Sequence, residues 1–490
     1  MADAATGSRR LSLATLPDLA PDIIRPAYDP ARTRVGIVHF GPGAFHRAHQ
    51  AVYVDDLLAA HPDWAICGVS LHSSAVRDAL QPQQNLYALA LLGNASSLRV
   101  IGAIRELLCA PEQQSTVLAR LADPAVRLVT LTITEKGYCL AGEDLDAAHP
   151  DIAHDLAHPA TPRSAIGYLA AGLAARRALG LKPFTVLSCD NLAGNGLKLR
   201  RALLQFTQRF DPVLAAWIAN EVAFPCSMVD SITPATDEPL RARVATTLGC
   251  ADAWPVQRET FTQWVIEDQF CNERPPFEQV GVTLSQDIAG YDRAKLRLLN
   301  GAHSTLAYLG SLLELETVGD AMRVPALATA IEGLMRESIA PVIALPAGLE
   351  PGSYIDAILA RFRNPAIHHK LSQIAWDGSQ KLPVRLLSTV ADALAQGRDI
   401  AVLCRSIAAW MCFVRRQARN GVALVDPLND ALSAIGRACT GDAHTDVGTF
   451  LALGAMFAPL SAEPRFVAAL RVAYAALGDG SPAAVARSLA

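Results

Sequence analysis

Val35-Gly36-Ile37-Val38-His39-Phe40-Gly41-Pro42-Gly43 is the stretch that decides the fold. Val35 to Phe40 is a β-branched, apolar run that meets a Gly-Pro-Gly turn, after which Ala44 to Ala60 carries helical spacing. Glycines at a strand-to-helix junction let the backbone turn tightly and approach a pyrophosphate, which then rests on the positive end of the following helix. The match to that pattern is partial. A strict Gly-x-Gly-x-x-Gly would place a third glycine at position 46, where this chain has His46, and an ordinary tight turn uses the same pair of glycines.

Working outward, further apolar runs occur at Trp64 to Leu71, Leu98 to Ile101, Val126 to Thr134 and Phe184 to Cys189. Strands separated by helical segments indicate a doubly wound parallel sheet. Beyond residue 285 strand signals almost vanish, and Ala/Leu-rich helical periodicity takes over, as in Ala326 to Ile339 and Ile400 to Gln417. The expected architecture is therefore α/β: a Rossmann-type dinucleotide-binding domain over 1–285, then a mainly α-helical substrate and catalytic domain over 286–490. The Pro- and Ala-rich residues 1–32 are expected to be an irregular leader.

A chain of 490 residues, 51% hydrophobic and 18% charged, has ample interior for two cores. Its net charge of −4 gives no electrostatic case for nucleic acid or an anionic membrane. No apolar run approaches the ~18 residues of a membrane span. An export signal after Arg9-Arg10 would need an apolar core, and Pro17, Asp18 and Pro21 interrupt the chain before one can form. The 10 cysteines are scattered singly, with no Cys-x-x-Cys pair, and read as small core residues in a reducing cytoplasm. They disfavour a cysteine-based zinc site, and His368-His369 lacks further ligands at useful spacing, so no metal is expected.

Chemistry concentrates in Lys295-Leu296-Arg297-Leu298-Leu299-Asn300-Gly301-Ala302-His303. At about 100° per residue, Lys295, Asn300 and His303 fall at roughly 0°, 140° and 80° around a helix, so all three can line one wall. A lysine among leucines loses solvation for its charged form, which suits it to act as a base. An asparagine amide can donate to a developing alkoxide, and an imidazole can orient the same oxygen. An amphipathic helix with an exposed lysine, ending at Asn-Gly, is the plain structural alternative.

Other polar clusters follow strand-like runs. They are Thr132-Ile133-Thr134-Glu135-Lys136-Gly137-Tyr138, Ser188-Cys189-Asp190-Asn191, and Met228-Val229-Asp230-Ser231. Each also reads as a polar turn or helix cap. Asn191 is placed to face a substrate oxygen, and Asp230 to meet hydroxyl groups. Lys381 and Arg385 could hold a polar or anionic substrate end, although a solvated basic turn has the same pattern. After the second strand, where a carboxylate usually holds the adenosine ribose, the chain reads Val69-Ser70-Leu71-His72-Ser73-Ser74, with Arg77 nearby. No acid is present there to repel a 2′-phosphate, which leaves NAD and NADP both open.

Together these clusters resemble the polyol-specific long-chain dehydrogenases, the mannitol dehydrogenase family. The resemblance runs from about residue 33 to 465 and includes Gly41-Pro42-Gly43-Ala44-Phe45-His46-Arg47-Ala48-His49, Thr134-Glu135-Lys136-Gly137-Tyr138, Ser188-Cys189-Asp190-Asn191 and the Lys295–His303 segment. The family uses Phe-His-Arg-Ala-His after the glycine turn, so His46 is not a defect. The resemblance implies a metal-independent, NAD-linked interconversion of a sugar alcohol and a 2-ketose. Gly41, Gly43, Phe45, His46, Arg47, Thr134, Glu135 and Lys136 would then belong to the cofactor site. Lys295 would be the general acid/base, Asn191 and Asn300 the pair holding the reacting oxygen, and His303 the residue orienting substrate. Asp292, one turn before Lys295, would exchange protons with solvent, and Asp230 and Lys381 would contact distal hydroxyls. A monomer is implied, and no long heptad pattern argues for a coiled-coil dimer.

D-mannitol/D-fructose is the leading substrate pair, with fructuronate reduction to D-mannonate as the alternative because Lys381 and Arg385 would suit a carboxylate. An enzyme of the 6-phosphogluconate dehydrogenase type would need a phosphate-binding basic cluster that is not evident. A non-catalytic nicotinamide-binding sensor would have no reason to retain Lys295, Asn191 and Asn300 together.

Overall fold

The computed structural model describes residues 9–93 and 97–489. The chain forms two compact units, one up to Ala289 and one from Gly290.

In the first unit, five strands make one parallel sheet: β1 (Val35–Phe40), β2 (Ala65–Ser70), β3 (Ile104–Cys109), β4 (Leu128–Leu131) and β5 (Thr185–Ser188). Their order is β3-β2-β1-β4-β5. The chain winds outward from β1 in one direction and then returns to continue in the other, so the order reverses between β1 and β4. The alternation along each strand explains why the sheet is covered on both faces. Val38, Phe40, Val129, Leu131 and Val186 pack with Ile166, Leu169 and Leu173 on one side. On the other, Ile37, Ile66, Leu128 and Leu187 pack with Val54, Leu57, Trp64 and Trp264.

Gly41 makes the tight exit from β1 possible. Its φ is +88°, and an added Cβ would lie 2.2 Å from the Thr132 carbonyl oxygen. The helix expected over Ala44 to Ala60 forms as two pieces, Ala44–Ala48 and Gln50–Leu57. The break falls at His49, whose Nε2 lies 3.0 Å from the Gln263 carbonyl and whose ring stacks on Phe45. That tertiary anchor overrides a helical pattern that reads as continuous.

Two smaller sheets do not follow from the apolar runs alone. Tyr87–Leu92 pairs antiparallel with Ser97–Ile101 and parallel with Val256–Glu259, while Gln263–Glu267 joins Ser227–Asp230 and Thr283–Ser285. Asp230 thus ends a strand and does not cap a helix. Of the expected leader, residues 1–8 lie outside the described residues. Residues 9–32 are irregular apart from short 3₁₀ turns at Leu16–Asp18 and Pro30–Arg32.

The second unit is built of helices around the buried Ala401–Arg419, which packs against Asn300–Leu312, Asn429–Ala438 and Pro464–Leu477. Three segments widen into π-helical turns: Lys295–Leu299, Leu334–Ile339 and Pro383–Leu387. The first packs against both others. Pro383 has no N–H to give to the helix that precedes it, which accounts for the opening at that position.

Candidate active site

Lys295 and Asn300 lie on one π turn, and the Asn300 N–H bonds to the Lys295 carbonyl. In a π turn, residue i+5 sits one turn beyond residue i. The sequence-based α-helical wheel, with Asn300 about 140° away, is therefore corrected: the extra residue brings Asn300 over Lys295. Lys295 is only 7% exposed and His303 8%. Burial pushes the Asp292 carboxyl up to about 6, opposed by the charge of Lys295, so the two groups are electrostatically coupled.

The His303 ring stacks on Phe362 at 4.4 Å and meets His369 edge-on at 5.4 Å. Burial, together with the charges of His369, Arg361 and Arg385, holds His303 well below the usual imidazole range. It is a neutral hydrogen-bonding group at physiological pH. Arg385 donates to Ser304 Oγ at 3.0 Å and approaches the Asn300 carbonyl at 3.5 Å. Lys381 sits 4.0 Å from Asp377, and its ammonium is pulled down by burial and by the neighbouring Arg385. Burial, and after it the charge of the same lysine, lowers His369. Lys295, Asn300, His303, Asp292 and Lys381 thus all belong to the second unit. His369 and Arg361 are neighbours of His303 that sequence reading missed, because their contact depends on tertiary packing and not on spacing.

In the first unit, the loops after β1 and β4 meet at the reversal point. Gly41 N–H bonds to Val69 O, Thr132 Oγ1 donates to Gly41 O, and His39 lies with Nδ1 2.7 Å from Thr130 Oγ1 and Nε2 2.8 Å from Thr132 Oγ1. Burial lowers His39 to about 3. Asn191 is exposed just past β5, and Asp230 is buried at the end of its strand.

The cofactor assignments separate by exposure. Gly43, Thr134, Glu135 and Lys136 are exposed, and Gly41 and Phe45 are partly so. His46 is 1% exposed, with its ring 3.4 Å from that of His39, while Arg47 is 0% exposed and donates to the Trp254 carbonyl. The side chains of His46 and Arg47 are thus enclosed, whereas the other positions proposed for the cofactor are open.

Asp190, in the Ser188-Cys189-Asp190-Asn191 segment, is the organiser of the β4 loop. Its carboxylate accepts from Ile133 N at 3.1 Å, Thr134 N at 2.8 Å and Tyr138 Oη at 2.7 Å. Burial raises its pKa while these bonds pull against that rise. Thr134, a β-branched residue, is held at φ +63°, a conformation that persists only when the surroundings impose it.

A dinucleotide-type sheet reversal in one unit, and in the other a buried lysine set on a π turn with a buried histidine, fit an oxidoreductase. The chain belongs to the mannitol dehydrogenase family: residues 35–279 match the mannitol dehydrogenase Rossmann domain and residues 287–478 the mannitol dehydrogenase C-terminal domain. It is 41% identical to the D-mannonate oxidoreductase of Escherichia coli over 94% of this chain and 97% of that protein. It is 42% identical to the mannitol 2-dehydrogenase of Neosartorya fischeri over 85% of this chain and 86% of that one. Among solved structures, the Pseudomonas fluorescens mannitol 2-dehydrogenase ternary complex with NAD and D-mannitol is 38% identical with a TM-score of 0.79, covering 98% of each chain. A substrate-free D-sorbitol dehydrogenase is 33% identical with a TM-score of 0.91, covering 97% of this chain and 100% of that one. Among the described residues, no helix is long and apolar enough to cross a membrane.

Proposed function

We propose that this protein is an NAD-linked dehydrogenase interconverting a carbinol and a 2-keto sugar derivative, and that its preferred pair is D-mannonate/D-fructuronate. The observation that carries the substrate choice is Arg385. Its guanidinium reaches Ser304 and Asn300, next to the catalytic lysine's own turn, and makes no ion pair with a carboxylate among the described residues. A partly buried guanidinium bonded only to neutral oxygens favours an anionic guest, and a carboxylate fits its planar fork. Lys381 adds a second cation, with Asp377 and Asp426 as the nearby acids. The similarity to D-mannonate oxidoreductase over nearly the whole length supports the same reading.

The residues after β1 and β4 fit a nicotinamide dinucleotide, because the strand order reverses between them and the exposed Gly43 carries no side chain to hold a ligand away from the turn. When bound, the cofactor accepts or returns a hydride. A secondary alcohol does not ionise near neutrality, so this chain must supply a base and stabilise the developing alkoxide. Lys295 Nζ takes the hydroxyl proton in oxidation and gives it back in reduction. Asn300, with Asn191 as the proposed second donor, holds the oxygen as its charge develops. Neutral His303 orients that oxygen without supplying a proton. Asp292, with its carboxyl near 6, exchanges the proton with solvent.

The D-mannitol/D-fructose pair is the second reading, favoured by the likeness to mannitol 2-dehydrogenases and compatible with Asp230 and Lys381 as hydroxyl contacts. Turnover of D-fructuronate and D-fructose with NADH separates the two. Arg385→Leu is expected to lower kcat/KM for fructuronate by about 10²-fold, in line with loss of a charge-assisted pair, and to leave fructose nearly unchanged. A preference of several orders for fructose in the wild type would reverse the assignment.

A further inference from the structure

The acid that would hold the adenosine ribose is absent after β2, and the structure shows what occupies that place. A cavity of about 450 Å³ opens beside Leu71 and His72, which follow β2, and beside Ala110 and Pro111, which follow β3. It lies at the carboxyl ends of the strands, the side of such a sheet that binds ligands. Its far wall is the turn Thr161–Arg163 and Tyr168 from the helix Ala165–Ala178.

The turn is fixed. Buried Asp155 accepts from Arg163 N at 2.8 Å and from Ser164 N at 2.9 Å, and Gln114 donates to Pro162 O at 2.9 Å across to the β3 side. Arg163 is thereby set at the cavity, and its exposed guanidinium makes no ion pair among the described residues. Arg77, the cation that the sequence places nearest the end of β2, is engaged elsewhere: it pairs with Asp78 at 2.8 Å and Glu112 at 2.7 Å, and bonds Gln113 at 3.0 Å. Among the described residues, the one carboxylate lining the cavity is Asp151, which has His149 at 3.9 Å; His154, also at the wall, pairs with Asp155 at 3.1 Å.

We propose that this cavity seats the adenosine end of the dinucleotide and admits a 2′-phosphate against Arg163, so that the enzyme binds NADP(H) as well as NAD(H). This rests on the reading of the first unit as a dinucleotide site. A planar guanidinium matches a phosphate dianion in both geometry and charge, and His72, Ser73 and Ser74 at the β2 exit carry no carboxylate to oppose it. Asp151 could act in the contrary sense, by accepting from the ribose 2′-hydroxyl in the manner of the missing strand-end acid.

The test is calorimetric binding of 2′,5′-ADP and of 5′-ADP to the full-length wild type, Arg163→Ala, Arg163→Lys and Asp151→Asn. The wild type is expected to bind 2′,5′-ADP at least as tightly as 5′-ADP. Arg163→Ala should weaken 2′,5′-ADP by about tenfold or more while moving 5′-ADP by less than about twofold, with partial recovery in Arg163→Lys. Wild-type preference for 5′-ADP by about tenfold, abolished by Asp151→Asn, would overturn the proposal and make Asp151 the ribose acceptor of an NAD-selective site. An equal loss of both ligands in Arg163→Ala would overturn it too. Failure of both nucleotides to bind the wild type would instead sink the dinucleotide reading on which it rests.

Discussion

Asp190→Asn changes one atom type and should dismantle the β4 loop. Thr134 N donates to Oδ1 of Asp190, whereas Ile133 N and Tyr138 Oη donate to Oδ2. Hydrogen bonds to a charged group contribute about 1.5–3 kcal/mol each, while holding Thr134 at φ +63° costs about 1–3 kcal/mol. With three bonds the carboxylate wins comfortably. An amide has one acceptor oxygen, so in either orientation it leaves Thr134 N–H, or both Ile133 N–H and Tyr138 Oη, facing an NH₂ group. One charged bond is lost and the others are weakened to neutral ones, a loss of about 2–4 kcal/mol. That is comparable with the strain, so Thr134 should relax. Urea unfolding of the first unit should weaken by this amount, and NADH, followed by quenching of tryptophan fluorescence, should bind about tenfold or more weakly. Adding Thr134→Gly, which removes the penalty for positive φ, should restore part of the binding. Unfolding within about 0.5 kcal/mol of wild type, together with an unchanged Kd, would refute the reasoning.

Two further substitutions probe the second unit. Lys295→Met should reduce kcat by about 10²–10⁴-fold, the usual share of a positioned acid/base, with NADH affinity unchanged; full turnover at every pH would remove Lys295 from the chemistry. Asp292→Asn tests the carboxyl at about 6. Because its folded pKa is raised above the ordinary 3.8, the native state holds this proton more firmly than the unfolded chain does. The resulting stability is fully present below about pH 4 and is lost as pH rises through 6. Relative to wild type, Asp292→Asn should therefore be neutral at pH 4 and gain about 1–2 kcal/mol at pH 7, discounted for partial exposure. A constant difference from pH 4 to 7, measured by denaturant titration, would contradict that sign.

The first unit was legible wherever burial is two-sided. Val35–Phe40, Ala65–Ser70 and Thr185–Ser188 are near-continuous apolar runs because helices cover both faces of the parallel sheet. Val256–Glu259 and Gln263–Glu267 were missed because Val-Gln-Arg-Glu and Gln-Trp-Val-Ile-Glu mix long polar side chains into the strand. Such strands form through pairing partners far away in sequence, not through local preference. His46 and Arg47 have surroundings that their sequence neighbours do not announce. Two polar residues directly after a glycine turn suggest ligand contacts, yet His39 stacks on one and Trp254 bonds the other.

The Lys295 turn shows why residue types were readable and their geometry was not. Lysine, asparagine and histidine among leucines announce acid/base chemistry, but a wheel drawn at a constant 100° per residue carries no sign that the helix admits an extra residue. The π turn is imposed from outside, by packing of Leu298 and Leu299 into the core and by contact with the turn that Pro383 opens. Its consequence is positional: the Asn300 N–H bonds to the Lys295 carbonyl, so the two residues proposed to act together share one turn. Local regularity gives way at the segment for which acid/base chemistry is proposed, and π turns of this kind recur at functional sites. The departure from the helical pattern is therefore itself an argument that this segment is the reactive one.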